Sequence, residues 1–342
     1  MGKQVLSIKD IARAASVSHS TVSRALRNSP LVNLQTAEKI RRIAKENNFR
    51  VSAVGRSLAT GRTHSIGIVV TTITDPFIAE VVTSVEETAN ARGFSVVLAN
   101  SKGDADREMK VVQSIEERRV DGILVLSSRV GSVYMPLLAE MKIPIVLINS
   151  QHPGDFVYSL TIDNLEASQA AVRFLIQLGH RKIAYISDKF GLQSDTERLL
   201  GYRRSLEGSG LKFRPEFIVS GDADAEGGMH AMEQLLALTD IPTAVFCYND
   251  MTALGALKAV RRGGLSVPED ISIVGFDDLT IASYTHPPLT TIRQPKQQMG
   301  RMATELLLNL IDGSKAETSR KVHGELIVRD STAPPRSRVT AG

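Results

Sequence analysis

The stretch Ser7-Ile8-Lys9-Asp10-Ile11-Ala12-Arg13-Ala14-Ala15-Ser16-Val17-Ser18-His19-Ser20-Thr21-Val22-Ser23-Arg24-Ala25-Leu26 sets the reading of the chain. Ser7 can cap a helix over residues 8–15, in which Ile8, Ile11, Ala12 and Ala15 share one face. Ser16-Val17 makes a tight turn, and Ser18 can cap a second helix over 19–27 with Val22, Ala25 and Leu26 apolar. Asn28-Ser29-Pro30 breaks the chain; Asn33 can cap a third helix reaching Phe49, with the stripe Ala37, Ile40, Ile43, Ala44. Three short helices, the first two a few residues apart, make a helix-turn-helix module. Such periodicity also suits any three-helix bundle. The polar face of the second helix tips the balance, because His19, Ser20, Ser23 and Arg24 stand opposite Val22 and Leu26. These are donors and acceptors at the positions from which a recognition helix reads bases.

Charge agrees. The 342-residue chain has net charge +4, but residues 1–62 hold 12 Lys/Arg against 3 Asp/Glu, or +9. The other 280 residues hold 29 against 34, or −5. A charge run is ordinarily a solvated face; an excess over a whole module favours a polyanion partner.

The pattern Ser7-Ile8-Lys9-Asp10-Ile11-Ala12-x-x-Ala15-x-Val17-Ser18-x-x-Thr21-Val22-Ser23-Arg24-Ala25-Leu26 resembles the N-terminus of the LacI/GalR family of bacterial transcription regulators. The similarity continues to Ser57-Leu58-Ala59-Thr60-Gly61. It implies that His19, Ser20 and Arg24 read base edges of double-stranded DNA while Ser18, Thr21 and Ser23 hold phosphates. Residues 52–60 are too few for a helix stable alone in water, yet Val54, Leu58 and Ala59 are apolar between two domains. Linker packing is one reading. The resemblance favours the other, a hinge helix that orders on DNA with Leu58 wedged into the minor groove.

From Ser65 onward buried strands alternate with amphipathic helices: apolar runs at 66–70, 94–98, 122–126 and 144–148, with helices over 77–91 and 104–117. The pattern restarts near Asp163, with strands at 182–186, 217–219, 244–247 and 271–274. Continuous apolar runs between helices read as parallel sheets covered on both faces. Two such sheets make two doubly wound lobes, with ligands expected at the carboxyl ends of the strands. The fold class is thus a small all-α helix-turn-helix domain plus an α/β body. By resemblance the body is periplasmic-binding-protein-like, with the chain crossing between lobes near 160, 290 and 322. The expected domains are 1–50 (helix-turn-helix), 51–62 (hinge), 63–335 (effector binding and dimerisation) and a tail, 336–342. Lobe 1 is expected over 63–160 and 292–321, lobe 2 over 162–290 and 323–335.

No catalytic constellation emerges. A G-x-G-x-x-G after a strand, a Walker A loop and a G-x-S-x-G elbow are all missing. Seven histidines show no H-x-x-x-H spacing, and the single cysteine, Cys247, cannot build a disulfide or a thiolate metal site. His180, after Leu178-Gly179, reads as a surface group at a helix C-terminus. Asp277 and Asp278 are adjacent and point different ways, against a shared proton or metal. No enzyme, cofactor or metal is expected.

What remains is a set of polar groups and one ring at strand ends: Asp75, Phe77, Asn149, Asp163, Arg198, Asn249 and Asp277. Singly, each carboxylate is more often a helix cap; Asp163 and Asp250 both stand where a cap is wanted. The family's R-x-x-G-[aromatic] element matches Arg198–Tyr202, N-D-x-x-A-x-G matches Asn249–Gly255, and V-G-[aromatic]-D-D matches Val274–Asp278. The resemblance therefore implies an effector site, with Arg198 and Asp277 partnering effector hydroxyls and each other. Planar carboxylate, amide and guanidinium groups each meet neighbouring hydroxyls in pairs, which suits a sugar or sugar derivative. The chain departs from better-known sugar binders in having no tryptophan, with Ala223 and Lys296 where one such member carries aromatics. Phe77, Phe190, Tyr248 or Phe276 would supply the apolar platform, and a nucleobase or sugar phosphate stays open as effector.

The tail holds Pro334-Pro335 and no apolar heptad, so the expected assembly is a homodimer on a pseudo-palindromic operator. Residues 1–6 contain no apolar leader core and no stretch is long enough to span a membrane, so the expected location is the cytoplasm, at the nucleoid. The rivals are a sugar transport protein, opposed by the basic head, and an enzyme on a doubly wound fold, for which no motif speaks.

Overall fold

The computed structural model describes residues 7–26, 28–47, 49, 61–127, 143–150, 157–189, 192–314 and 319–336. The chain forms two compact units, one ending at His64 and one beginning at Ser65.

The first unit holds α1 (Ile8–Ala15), α2 (His19–Leu26) and α3 (Leu34–Glu46). The Asp10 carboxylate closes the start of α1, accepting from the Ser7 N–H at 2.9 Å and from Ser7 Oγ at 2.6 Å. Ser16 ends that helix in the left-handed region, at φ 57°. Ser18 Oγ accepts from Thr21 N at 3.2 Å to start α2, and Asn33 Oδ1 accepts from Gln35 N at 2.9 Å to start α3. Lys39 Nζ donates to Ala15 O at 3.1 Å, a cation at the negative end of α1. Ile11, Val22, Ala25 and Ile40 are completely buried at the centre. Each large aliphatic side chain there contributes about 1.5–3 kcal/mol, the main term for so small a bundle.

The second unit has two six-stranded sheets. The first runs β11 (Ser319–Val322), β5 (Val157–Ile162), β4 (Ile145–Ile148), β3 (Gly122–Leu126), β1 (Ser65–Val70), β2 (Ser95–Asn100), with every neighbouring pair parallel. The second runs β12 (Glu325–Ile327), β10 (Thr290–Arg293), β9 (Ser272–Asp277), β8 (Ala244–Cys247), β6 (Ile183–Asp188), β7 (Ile218–Gly221). Only β12 is antiparallel to its neighbour. Strands β3, β4, β6, β8 and β9 are buried along their whole length, as helix-covered parallel strands must be. The helices are α4 (Pro76–Ala91), α5 (Ala105–Glu117) and α10 (Lys296–Ile311) in the first lobe. In the second they are α6 (Asn164–Gln177), α7 (Gln193–Gly208), α8 (Ala225–Leu236) and α9 (Asp250–Arg262). Helices α8 and α9 meet through glycines: a Cβ on Gly228 would collide with the Thr252 carbonyl, and one on Gly255 with the Ala225 carbonyl.

Several sequence expectations shift. Strands β5, β10, β11 and β12 escaped the sequence reading, being short or broken by polar residues. Phe217 closes a 3₁₀ turn and β7 begins after it, at Ile218. Because β10 belongs to the second sheet, the chain returns to the first lobe after Arg293, later than the expected 292. Asn249 caps α9, and Asp250 is the first helical residue, fully buried. His180 is only 1% exposed, not on the surface. Its Nδ1 meets Thr243 Oγ1 at 2.9 Å, and its Nε2 meets Ser272 Oγ at 3.1 Å and Ala333 O at 2.9 Å, pinning the C-terminal segment to the second lobe. Burial holds its pKa below the usual imidazole value.

Candidate functional site

The carboxyl ends of both sheets open on one cleft of about 570 Å³. Six of the seven expected residues line it: Asp75, Phe77, Asn149, Arg198, Asn249 and Asp277. Asp163 is not among the lining residues. Its Oδ1 accepts from Glu166 N at 3.0 Å, so it serves as the cap of α6.

The first lobe supplies one wall. Asp75 caps α4, its Oδ1 accepting from the Phe77 N–H at 2.9 Å, and the Phe77 side chain is buried in the wall. Burial pushes the Asp75 carboxyl above its ordinary pKa. Asn149 follows β4 at φ 54°, a left-handed conformation that asparagine tolerates. Its Nδ2 donates to Gln294 Oε1 at 3.4 Å, while its buried Oδ1 has no partner among the described residues.

The second lobe supplies the charges. Arg198, 3% exposed on α7, has its guanidinium carbon 3.6 Å from the centre of the Phe276 ring and 4.6 Å from that of Tyr248. Nε donates to Asn164 Oδ1 at 3.0 Å and Nη1 to Tyr248 O, leaving Nη2 without a bond among the described residues. Asp277 ends β9 at φ 116°, and its Oδ1 accepts from Gln294 Nε2 at 2.5 Å. Burial raises its pKa well above the carboxylate range; the Arg198 charge opposes this and Asp250 reinforces it. The first partners of Arg198 and Asp277 are thus protein groups other than each other, which corrects the expected mutual pairing. Asn249 is scaffold at both ends of its amide: Oδ1 accepts from Thr252 N at 2.8 Å, and Nδ2 donates to Ala223 O at 2.9 Å.

Asp278 turns away from the cleft to Arg329 at 2.6 Å and Arg293 at 2.7 Å. Phe276 lies beneath Arg198 and is not a lining residue, so Phe77 and Tyr248 remain as apolar surface; Phe190 lies outside the described residues. Lys296 is a strut, its Nζ donating to the carbonyls of Asp277 at 2.8 Å and Asp278 at 2.7 Å and pairing with Glu80 at 3.4 Å.

In the helical unit Ser18, His19, Ser20 and Arg24 are exposed, Thr21 and Ser23 half-buried. The Ser18 hydroxyl lies 2.8 Å from those of Ser20 and Thr21. Val54, Leu58 and Ala59 lie outside the described residues. Among the described residues no group of His, Cys, Asp and Glu could hold a metal, and no helix is long and apolar enough to cross a membrane.

Comparison with known proteins fixes the family. The family described as "Bacterial regulatory proteins, lacI family" matches residues 7–52, and a "Periplasmic binding protein-like domain" matches 172–332. The HTH-type transcriptional repressor CytR of Escherichia coli (strain K12) is 37% identical over 331 residues, covering 95% of this chain and 96% of the relative. The chain belongs to the lacI family of bacterial regulators. Among solved structures, the Lac repressor dimer bound to operator and the anti-inducer ONPF superposes with a TM-score of 0.88 at 26% identity, covering 96% of this chain and 100% of that one. A CelR–cellobiose complex gives a TM-score of 0.73 at 31% identity, covering 95% and 99%. This lacI-family member is a DNA-binding transcriptional regulator and not an enzyme.

Sequence reasoning missed Lys102, Asp222 and Asp224 in the lining of this regulator's cleft, and with them Gln294, 2% exposed in the segment between β10 and α10. Its carboxamide bridges Asn149 of one lobe and Asp277 of the other. A strand-end rule finds it only once the four-residue β10 is recognised.

Proposed function

We propose that this regulator is a homodimeric repressor whose cleft senses a small, neutral, hydroxyl-rich effector, a sugar or sugar derivative. The carrying observation is the balance of the lining: Asp75, Asp222, Asp224 and Asp277 face the cleft against the cations Arg198 and Lys102. Asp222 is paired to Lys189 at 2.7 Å, and burial drives Asp277 towards its protonated form. Asp75 and Asp224 still offset the two cations, so the lining holds no surplus of positive charge to draw a phosphate or carboxylate ligand. Sugar hydroxyls both donate and accept, so one molecule satisfies the acceptor Asn149 Oδ1 and the donor Arg198 Nη2 together. Phe77 offers a flat apolar wall for a ring. The related CelR in complex with cellobiose supports the sugar class.

On the DNA side, His19, Ser20 and Arg24 read base edges of a pseudo-palindromic operator, and Ser18, Thr21 and Ser23 hold phosphates. Leu58, flanked by Val54 and Ala59, wedges into the minor groove from a hinge helix. A second copy of the chain is the natural partner, since the related Lac repressor binds operator as a dimer. Ile281 and Tyr284 expose 46% and 79% of their surface, apolar area that a second copy would cover. Effector binding changes the lobe arrangement, and operator affinity shifts only by the differential affinity of the effector for the two states, commonly about 1–3 kcal/mol.

The test is a thermal-shift series with D-ribose, cellobiose, hypoxanthine and glucose 6-phosphate. A ligand at about 100 times its dissociation constant adds about 2.7 kcal/mol of stability. Stabilisation by a neutral sugar is the expected result. Stabilisation by hypoxanthine or the phosphate alone overturns the sugar reading.

A further inference from the structure

Asn164 is the first residue of α6, two positions after β5 leaves the first sheet, and 3% of it is exposed. Its side chain is bonded at both ends. Oδ1 accepts from Arg198 Nε at 3.0 Å. Nδ2 donates to Glu197 Oε2 at 3.0 Å and to Ile162 O at 3.4 Å. Ile162 is the last residue of β5, in register with Val322 of β11. The intervening Asp163 donates its N–H to Val322 O at 2.9 Å, so two of the chain's passages between the lobes are tied together at that point. One planar amide thus grips the guanidinium of the cleft, the carboxylate beside it on α7, and the carbonyl where the chain crosses between lobes.

The chemistry demands an amide here. Arg198 Nε can only donate, while Glu197 Oε2 and the Ile162 carbonyl can only accept. Asparagine answers with one acceptor and two donors in a fixed plane. Aspartate would keep the bond to Arg198 but lose both donors and face the Glu197 carboxylate. Leucine would keep nothing and leave the buried Nε unpaired. Glu197 also accepts from Gln193 Nε2 at 2.9 Å through its other oxygen.

We propose that Asn164 is a positioning residue that sets the pose of Arg198 and couples it to the crossing at residues 162–163. A displacement of Arg198 by a bound effector is then felt at the joint between the lobes. This rests on the proposed role of Arg198 as an effector contact, but the coupling itself is measurable without any effector.

Two measurements on the full-length protein test it. The first follows hydrogen exchange of the Asp163 amide in a double-mutant cycle of Asn164→Leu and Arg198→Ala, with no ligand. Coupling through Asn164 predicts that each variant speeds exchange and that the double variant exchanges within about twofold of the faster single one. Fully additive effects overturn the proposal whatever the effector is. The second compares Asn164→Asp with the parent for binding of D-ribose and cellobiose and for sugar-dependent operator affinity. Asn164→Asp, which keeps the acceptor for Arg198, should bind sugar within about threefold of the parent while the effect of sugar on operator affinity shrinks about tenfold. An undiminished effect overturns the coupling role. Should neither sugar bind the parent, the sugar reading fails, and the exchange cycle still decides the role of Asn164.

Discussion

The guanidinium carbon of Arg198 stands 3.6 Å from the centre of the Phe276 ring, one residue before the cleft carboxyl of Asp277. The end of β9 therefore supplies both the platform that holds the cation and the acid group whose charge Arg198 favours on the same wall of the cleft. With Asn164 and the Tyr248 carbonyl taking two of its N–H groups, Arg198 is fixed before any effector arrives. Its side-chain entropy is already spent on folding, and a ligand need not meet that cost again.

Arg198→Lys should separate charge from shape. An ammonium keeps the positive charge but cannot stack on Phe276 while serving Asn164, Tyr248 and a ligand in one plane. Effector affinity should fall at least tenfold, about 1.4 kcal/mol. The apo protein should also melt lower, because hydrogen bonds to a charged group contribute about 1.5–3 kcal/mol each. Calorimetric titration with the sugar that stabilises the parent checks the first point, and unchanged affinity would show that Arg198 is scaffold.

Asp250 gives the fold a pH dependence. Its oxygens accept from Leu279 N at 2.7 Å and Thr291 Oγ1 at 2.5 Å, yet burial pushes its pKa up to about 7. In acid, below about pH 4, folded and unfolded chains both carry the proton. Between there and about pH 7 only the unfolded chain ionises, so stability falls as pH rises and then levels off. Asp250→Asn removes this contribution. Its stability relative to the parent should therefore increase from pH 5 to pH 7 in paired urea melts, and a difference that is flat or runs the other way refutes the assignment.

Much of this was legible in the chain. The caps at Ser18 and Asn33 announced their helices, and buried runs such as Gly122–Leu126 announced parallel strands, because local hydrogen bonding and burial act over a few residues. The polar ends of the cleft were legible as a set, since they follow those runs. Gln294 and Lys296 were not, because their roles depend on β10, whose Thr290 and Thr291 hide a buried strand behind polar side chains. His180 was misread for a related reason: its partners Thr243, Ser272 and Ala333 are far away in sequence. Asn249 shows the limit of motif reading, since it matched N-D-x-x-A-x-G while both ends of its amide are occupied by the scaffold. For Asp163 it is the cap reading, open in the sequence beside the site reading, that the structure bears out.

Gly255→Ala should act on the wall of the cleft at a distance. The added methyl meets the backbone carbonyl of Ala225 at the start of α8, which no side-chain rotation relieves. Overpacking of this kind costs about 1–3 kcal/mol. Because the Asp222–Asp224 segment leads into α8, effector affinity should fall together with the melting temperature. An alanine variant as stable as the parent would mean that α8 and α9 part freely.

The basic head predicts a steep salt response. Six or more phosphate contacts would cost about a thousandfold in operator affinity between 50 and 200 mM salt. Within that, Arg24→Ala should relax discrimination at one or two base positions per half-site, about 1–3 kcal/mol per lost bidentate contact, whereas Thr21→Ala should weaken all sequences alike. Binding-site selection with both variants checks the division, which an exchange of the two effects would reverse.

The most direct test of a DNA-binding regulator governed by a neutral sugar is one titration. A duplex selected by the protein from a random pool is bound at fixed salt, with and without a saturating sugar, by the parent and by Asp277→Ala. The account predicts that sugar changes the operator dissociation constant of the parent by about 5–150-fold, the usual span of allosteric coupling, and leaves that of Asp277→Ala unchanged. Equal operator affinity of the parent with and without every sugar tried, or a full response in Asp277→Ala, would contradict it.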